Sequence, residues 1–148
     1  MSFIKSTIGR KILMAISGVF LMVFLLQHLA INFLSVISAD LFNEISHFMG
    51  TNFFVQFILQ PILILGFLFH LLLGIYLDFK NRLNRSEKYI INHPKNNSSW
   101  VSRNMIITGI MILLFLFLHF YDFWIPEIEY KYIEMELSDS SKYFHELK

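Results

Sequence analysis

Three long apolar segments constrain this 148-residue chain more than any other feature. They extend over approximately residues 12–37, 53–77 and 105–125. Each has at least the ~20 residues that a helix needs to cross ~30 Å of hydrocarbon. Because lipid cannot satisfy exposed backbone groups, and because no strand-like alternation is present, we predict three transmembrane helices. The predicted fold class is an all-α transmembrane helical bundle in one domain, followed by a polar tail over 126–148.

Composition supports a membrane protein and excludes several kinds of site. Hydrophobic residues make up 55% of the chain and charged residues 16%, which is less charge than a soluble domain carries. The formal net charge of +1 predicts no nucleic-acid partner. Because the sequence has no cysteine, it offers no disulfide, thiolate-bound zinc, iron–sulfur ligation or covalent haem attachment. The six histidines are the metal ligands available in number.

Loop charges predict how the chain is oriented in the membrane. Lys5, Arg10 and Lys11 precede the first apolar segment. The connection between the second and third segments carries six further basic residues, namely Lys80, Arg82, Arg85, Lys88, Lys95 and Arg103. The loop 38–52 has no Lys or Arg. By the positive-inside rule, the N-terminus and the second connection are cytoplasmic, whereas the loop 38–52 and the tail lie outside.

One histidine lies inside each apolar segment, at His28, His70 and His119. An ionisable side chain within lipid is costly and marks a functional site by default. At a rise of 1.5 Å per residue, His28 and His119 lie roughly 25 and 24 Å from the inner edge of the membrane. His70 lies only about 12 Å from that edge. We therefore predict two histidines at an outer level and one at an inner level.

Small and polar residues accompany these histidines on the predicted helices. Ser17 and Asn32 share the helical face of His28, and Thr108 shares the face of the third histidine. Such polar stripes turn towards a bundle interior. Gly66 and Gly74 flank the second histidine at i−4 and i+4, which would open a flat slot beside its ring.

A flat slot and two level imidazoles on neighbouring helices suit a haem b with two axial histidines. Such an iron has no open position for oxygen, so its function is electron transfer. By face and depth, we predict that four polar side chains contact the haem propionates: Ser17, Asn32, Arg103 and Thr108. Two structural interpretations stay open, because membrane histidines also bond to neighbouring helices and glycines also serve close helix packing.

Three blocks of the sequence carry a family resemblance: "STIGRKILMAISGVFLMVFLLQHLAINF", "FNEISHFMGTN" and "NSSWVSRNMIITGIMILLFLFLHFYDFW". They resemble the cytochrome b subunit of bacterial succinate dehydrogenase and fumarate reductase, and most closely its five-helix, two-haem type. The resemblance covers nearly the whole chain up to Trp124.

The resemblance implies an anchor subunit of a succinate:menaquinone oxidoreductase in the bacterial cytoplasmic membrane, linked to the tricarboxylic acid cycle. Its partners would be a flavoprotein subunit with FAD and an iron–sulfur subunit with its clusters, docked around residues 80–103. The chain itself would carry no succinate site. In the family pattern, His28 and His119 hold the outer haem, and His70 holds the inner haem with a histidine on a later helix.

The family has two further spans, whereas no apolar run follows Trp124 in this chain. We therefore expect a fragment of a longer product, a split gene or a degenerate copy. Two other functions remain open. One is a non-redox helical membrane protein with an assembly or structural role, and the other is a different di-haem membrane cytochrome b.

Overall fold

The computed structural model describes residues 6–83 and 99–129. Within these residues the chain is helical and contains no strand, which confirms the predicted all-α class. The six α-helices of this part are α1 Thr7–Ile37, α2 Ala39–Thr51, α3 Gln60–Leu83, α4 Trp100–Arg103, α5 Met105–His119 and α6 Ile125–Glu129. Four of the basic residues used to predict orientation (Lys5, Arg85, Lys88 and Lys95) and the tail from residue 130 onwards lie outside the described residues.

The three predicted spans are confirmed as helices. In the part of the chain that the structure describes, three helical stretches are long and apolar enough to cross a membrane: Thr7–Ile37, Val55–Leu83 and Met105–Glu129. The first begins before residue 12 because Ser6 caps it, with Ser6 Oγ accepting a 2.9 Å hydrogen bond from the Gly9 backbone N–H. Most large apolar side chains of these stretches are exposed, as expected for surfaces that contact lipid or further helices.

The connection 38–52, predicted as a loop, is mostly a helix, α2. Ser38 caps it, and Ser38 Oγ accepts a 3.3 Å hydrogen bond from the Leu41 N–H. Asp40 lies in the first turn, where its negative charge stabilises the helix by interacting with the positive end of the helix dipole. Phe42 is 5% exposed and is the only large apolar side chain among the described residues that is buried. A capped N-terminus and an apolar face that includes Phe42 therefore make this short amphipathic segment helical.

Two π-helical turns, Val55–Leu59 and Phe120–Trp124, interrupt the regular hydrogen bonding of the second and third spans. Each ends two residues before a proline, Pro61 or Pro126. Proline has no N–H and its ring clashes with the carbonyl four residues earlier. The wider π-helical turn relieves this conflict. The backbone N–H that follows the turn donates to the carbonyl five residues earlier, as from Gln60 to Val55.

Helices α1 and α3 run antiparallel, with side-chain pairs in a regular register. Residue numbers fall on α3 as they rise on α1, through the pairs Arg10–Tyr76, Met14–Gly74, Ser17–His70 and Phe20–Gly66. Glycine on α3 faces a larger side chain on α1 at two of the four levels. Small residues that let helix backbones approach closely are a common basis for helix association in membranes.

The described residues divide into two compact units, 6–80 and 81–83 with 99–129. In the second unit, Asn104 separates α4 from α5 with a non-helical backbone conformation. Its side-chain amide donates a 2.9 Å hydrogen bond to the Trp100 carbonyl, which holds the two helices together. The expectation of a single domain and of a cytoplasmic N-terminus both stay predictions.

We predict that Gly66→Ala destabilises the contact between α1 and α3. A Cβ at this position would lie 2.5 Å from Cε1 of Phe20, so the ring or the backbone has to move. Overpacking of this kind costs about 1–3 kcal/mol, which thermal unfolding in mild detergent can measure. Gly109→Ala is the matched control, because an added Cβ there meets no atom within 4 Å. Equal melting temperatures for both variants would contradict the packing described above.

Candidate functional site

The imidazole of His70 rests against α1. Ser17 is 7% exposed, and its Oγ lies 2.9 Å from Nδ1 of His70. The same Oγ lies 2.9 Å from the Met14 carbonyl oxygen on its own helix. A Cβ added to Gly18 would lie 3.4 Å from Cε1 of the imidazole, so this glycine borders the ring. The second span thus places its histidine directly on a small, polar section of the first.

The glycines on either side of this histidine contact α1. An added Cβ at Gly74 would lie 3.2 Å from the terminal methyl carbon of Met14, and Gly66 lies under the ring of Phe20. These contacts fit the interpretation that the two glycines serve close helix packing. The flat slot for a haem beside them stays a prediction.

His28 lines a cavity between α1 and α2. The cavity measures about 230 Å³, and its walls are largely apolar. Residues from both helices form it: Phe24, Gln27, His28, Ile31, Asn32, Phe42, Ser46 and Met49. The ring of Phe24 stacks on the imidazole, with 5.6 Å between centroids and 24° between planes. This volume is below the ~300–1,000 Å³ of ordinary ligand pockets, so a porphyrin beside His28 would need walls from further helices.

His28 on α1 and His70 on α3 lie at different levels along the axis of α1. Ser17, which contacts His70, precedes His28 by eleven residues on one continuous helix. At 1.5 Å per residue, this separation is about 16 Å along the axis. The sequence estimate gives a similar separation, with the second histidine nearer the basic end of the helix.

His119 lies in the second unit among aromatic rings. Phe115 stacks on it at 5.9 Å with a 17° angle between planes, and Phe123 lies 5.1 Å away at 38°. The histidine ends α5 directly before the π-helical turn Phe120–Trp124. Its side chain is half-buried, like those of His28 and His70.

The polar residues predicted near haem propionates bond mainly within their own helices. Asn32 Nδ2 donates a 2.8 Å hydrogen bond to the His28 carbonyl, and Thr108 Oγ1 donates a 3.0 Å bond to the Met105 carbonyl. Arg103 is exposed at the end of α4. Asn32 also lines the cavity beside His28, whereas Thr108 and Arg103 belong to the second unit. Their contacts with propionates stay predictions.

The structure shows contacts of residues that the sequence patterns did not connect with one another or with the site. Gly18 borders the imidazole of the second span, and Phe42 closes the cavity beside the first histidine. Arg10 Nη1 donates a 2.9 Å hydrogen bond to Tyr76 Oη, and Lys80 Nζ lies 5.8 Å from the centre of the same ring. The group of Arg10, Tyr76 and Lys80 could have been predicted from the sequence, because tyrosine and basic residues mark membrane interfaces.

Each of the three span histidines offers an imidazole, the side chain that commonly ligates haem iron axially. Among the described residues, no three His, Cys, Asp or Glu side chains converge on a possible metal position. A haem needs only axial ligands from the protein, because the porphyrin supplies the other four nitrogens. The hydrogen bond on Nδ1 of His70 leaves Nε2 as the ring atom for ligation, which is the usual arrangement of a ligating histidine.

Comparison with known proteins supports the family resemblance. The chain is 29% identical over 100 residues to the succinate dehydrogenase cytochrome b558 subunit of Bacillus subtilis (strain 168). The matched region covers 68% of this chain, and the chain spans about 46% of the length of that relative. No family model matches the chain. No solved structure matches it either. The predicted resemblance to succinate dehydrogenase cytochrome b subunits is confirmed at this modest identity.

We predict that Phe42→Ala releases α2 from α1 and opens the cavity beside His28. Truncating a buried phenylalanine costs about 3 kcal/mol, which corresponds to roughly a 100-fold loss of protection in α2. Hydrogen exchange of the α2 amides, followed by mass spectrometry in detergent, measures this loss. Phe48→Ala is the control on the same helix, because Phe48 is 56% exposed. Similar exchange in both variants would show that Phe42 is not the anchor.

Proposed function

We propose that this chain is a membrane-anchor cytochrome b subunit of a succinate:menaquinone oxidoreductase. The observation that carries the proposal is that each span has a half-buried histidine, the usual axial ligand of haem, and that the Bacillus subtilis relative is named as a cytochrome b subunit. As a subunit of that enzyme, the chain would have no part in binding succinate. It would lie in a bacterial cytoplasmic membrane.

The three histidines would hold haem at two levels. In this proposal, His28 and His119 are the axial ligands of an outer haem, and His70 is one ligand of an inner haem. The apolar cavity beside His28 and the aromatic rings around His119 support it, because the two faces of a porphyrin ring are apolar. When bound, haem b supplies one-electron transfer between the iron–sulfur subunit and menaquinone.

The partner subunits would dock at the end of the spans that carries the basic residues. Arg10, Tyr76 and Lys80 come together at this end of α1 and α3. By the positive-inside rule, that end is cytoplasmic, where a flavoprotein with FAD and an iron–sulfur protein would meet the anchor. The proposed docking surface comprises residues 80–103, of which the structure describes 80–83 and 99–103.

A second candidate function is a non-redox helical membrane protein. It is favoured by the hydrogen bonds of Asn32, Ser35 and Thr108 to carbonyls of their own helices, which satisfy these groups without any ligand. Such a protein would be colourless, whereas a cytochrome b absorbs visible light. A different di-haem cytochrome b would be coloured but would not bind a flavoprotein.

We predict that the purified chain shows a low-spin b-type spectrum, and that His28→Ala and His119→Ala abolish the outer-haem part of it. Each substitution removes one axial ligand, and a single histidine does not keep the iron low-spin. The measurement is a reduced-minus-oxidised spectrum in mild detergent together with haem quantification.

His47→Ala is the control for this experiment, because His47 lies on α2 outside the spans. The Bacillus subtilis cytochrome b558 subunit, expressed in the same cells, controls for haem supply. A wild-type chain without a b-type signal beside a coloured relative would contradict the proposal and favour the non-redox function.

We also predict that the tagged chain, expressed with its neighbours in native membranes, copurifies with one flavoprotein and one iron–sulfur protein. Arg82→Glu combined with Arg103→Glu should weaken this recovery, because both residues lie in the proposed basic docking surface. Lys131→Glu combined with Lys142→Glu makes the same change of charge in the tail, which is predicted to lie on the other side of the membrane, and is the charge-matched control. Mass spectrometry of the eluate measures the ratio of subunits. Recovery of a coloured chain without a flavoprotein would favour a different cytochrome b.

A further inference from the structure

The Ser17 hydroxyl has two partners but only one proton. Its Oγ lies 2.9 Å from the Met14 carbonyl oxygen and 2.9 Å from Nδ1 of His70. The carbonyl can only accept a hydrogen bond, so the hydroxyl donates its proton there. Oγ must then accept the hydrogen bond from His70, and the proton of that bond belongs to Nδ1. A neutral imidazole with its proton on Nδ1 carries its free lone pair on Nε2.

Burial strengthens this assignment. Ser17 is 7% exposed, so water cannot supply an alternative partner as it would at a surface. If the hydroxyl instead donated to Nδ1, its oxygen would face the Met14 carbonyl oxygen at 2.9 Å without a proton between them. The arrangement with the proton on Nδ1 is the one in which both short contacts are hydrogen bonds.

We propose that Ser17 is a positioning residue that holds His70 in the tautomer required to ligate haem iron through Nε2. The proposal rests on the proposed function and deepens it. It also gives Ser17 a role different from the propionate contact that its face and depth suggest. Ligating histidines commonly donate their other ring N–H to a protein acceptor, which fixes both the tautomer and the orientation of the ring.

Gly18 makes this contact sterically feasible. A Cβ at Gly18 would lie 3.4 Å from Cε1 and 3.9 Å from Nδ1 of His70, so anything larger than a methyl group would press on the ring. Two consecutive residues of α1 therefore accommodate the ring of His70. Ser17 provides a hydrogen-bond acceptor, and Gly18 leaves space beside the ring. This is the section of α1 on which the ring rests.

The tautomer can be measured without haem. In the full chain with ¹⁵N-labelled histidine, long-range ¹H–¹⁵N correlation spectra distinguish a proton on Nδ1 from a proton on Nε2, and His70→Gln assigns the signal. We expect the Nδ1–H pattern for His70 in the wild type and a shift towards the Nε2–H pattern in Ser17→Ala. Ser35→Ala is the matched control, because Ser35 Oγ bonds to the Asn32 carbonyl on the same helix and to no histidine that the structure shows.

The consequence for ligation is measured separately as haem affinity. The relevant haem is the one whose binding is lost in His70→Ala, whatever the spin state of its iron. In Ser17→Ala we expect the affinity for this haem to fall by about 10- to 100-fold, as is typical when the hydrogen-bond partner of a ligand is removed. Ser17→Thr keeps the hydroxyl and should keep both the tautomer and the affinity, which separates the hydrogen bond from a general loss of folding.

Three outcomes overturn the inference. An Nε2–H pattern for His70 in the wild type, or no change of pattern in Ser17→Ala, would show that Ser17 does not set the tautomer. Unchanged affinity in Ser17→Ala would show that the tautomer does not limit ligation. Absence of any His70-dependent haem binding, while the signals that depend on His28 and His119 are present, would remove the ligand role of His70 and leave only the outer haem of the proposed function. Absence of haem altogether would contradict both.

Discussion

A polar ring within hydrocarbon needs a partner, and the hydrogen bond between Ser17 and His70 meets that need while joining α1 to α3. Around it, the antiparallel register continues through Arg10–Tyr76 on one side and Phe20–Gly66 on the other. Because lipid competes weakly for hydrogen bonds and provides no hydrophobic force between helices, these polar contacts and close packing at glycine together hold the two spans in register.

The other histidine of α1 has a different environment. His28 borders a cavity that α2 closes, and α2 is held by the buried ring of Phe42. One histidine is therefore hydrogen-bonded to a serine of another span, and the other lines a largely apolar cavity. This asymmetry suits two different roles for α1. It offers a hydrogen-bond acceptor to a histidine of α3, and it places a histidine of its own in the wall of the cavity that α2 closes.

The sequence predicts the spans and their histidines well, because a membrane requires about 20 apolar residues per helix and makes every polar exception conspicuous. The prediction of a loop misses α2 although the apolar residues of 39–51 recur at helical spacing, because they lie in a short connection without basic residues, which resembles a loop. The partner of His70 was also beyond reach. Periodicity places Ser17 on the face of His28, but contacts between α1 and α3 depend on their register, which no pattern within one helix contains.

A single continuous helix has a further consequence for how the site is built. Ser17 and His28 belong to α1, so their separation follows from the helical rise and is independent of loop conformation. The π-helical turns lie elsewhere, next to Pro61 and Pro126, and leave α1 regular. In a chain with little buried apolar core among its described residues, the unbroken first span is thus the element that fixes the spacing between the two levels. Changes in the connections can alter what surrounds each histidine, but they cannot change the distance between the two levels on α1.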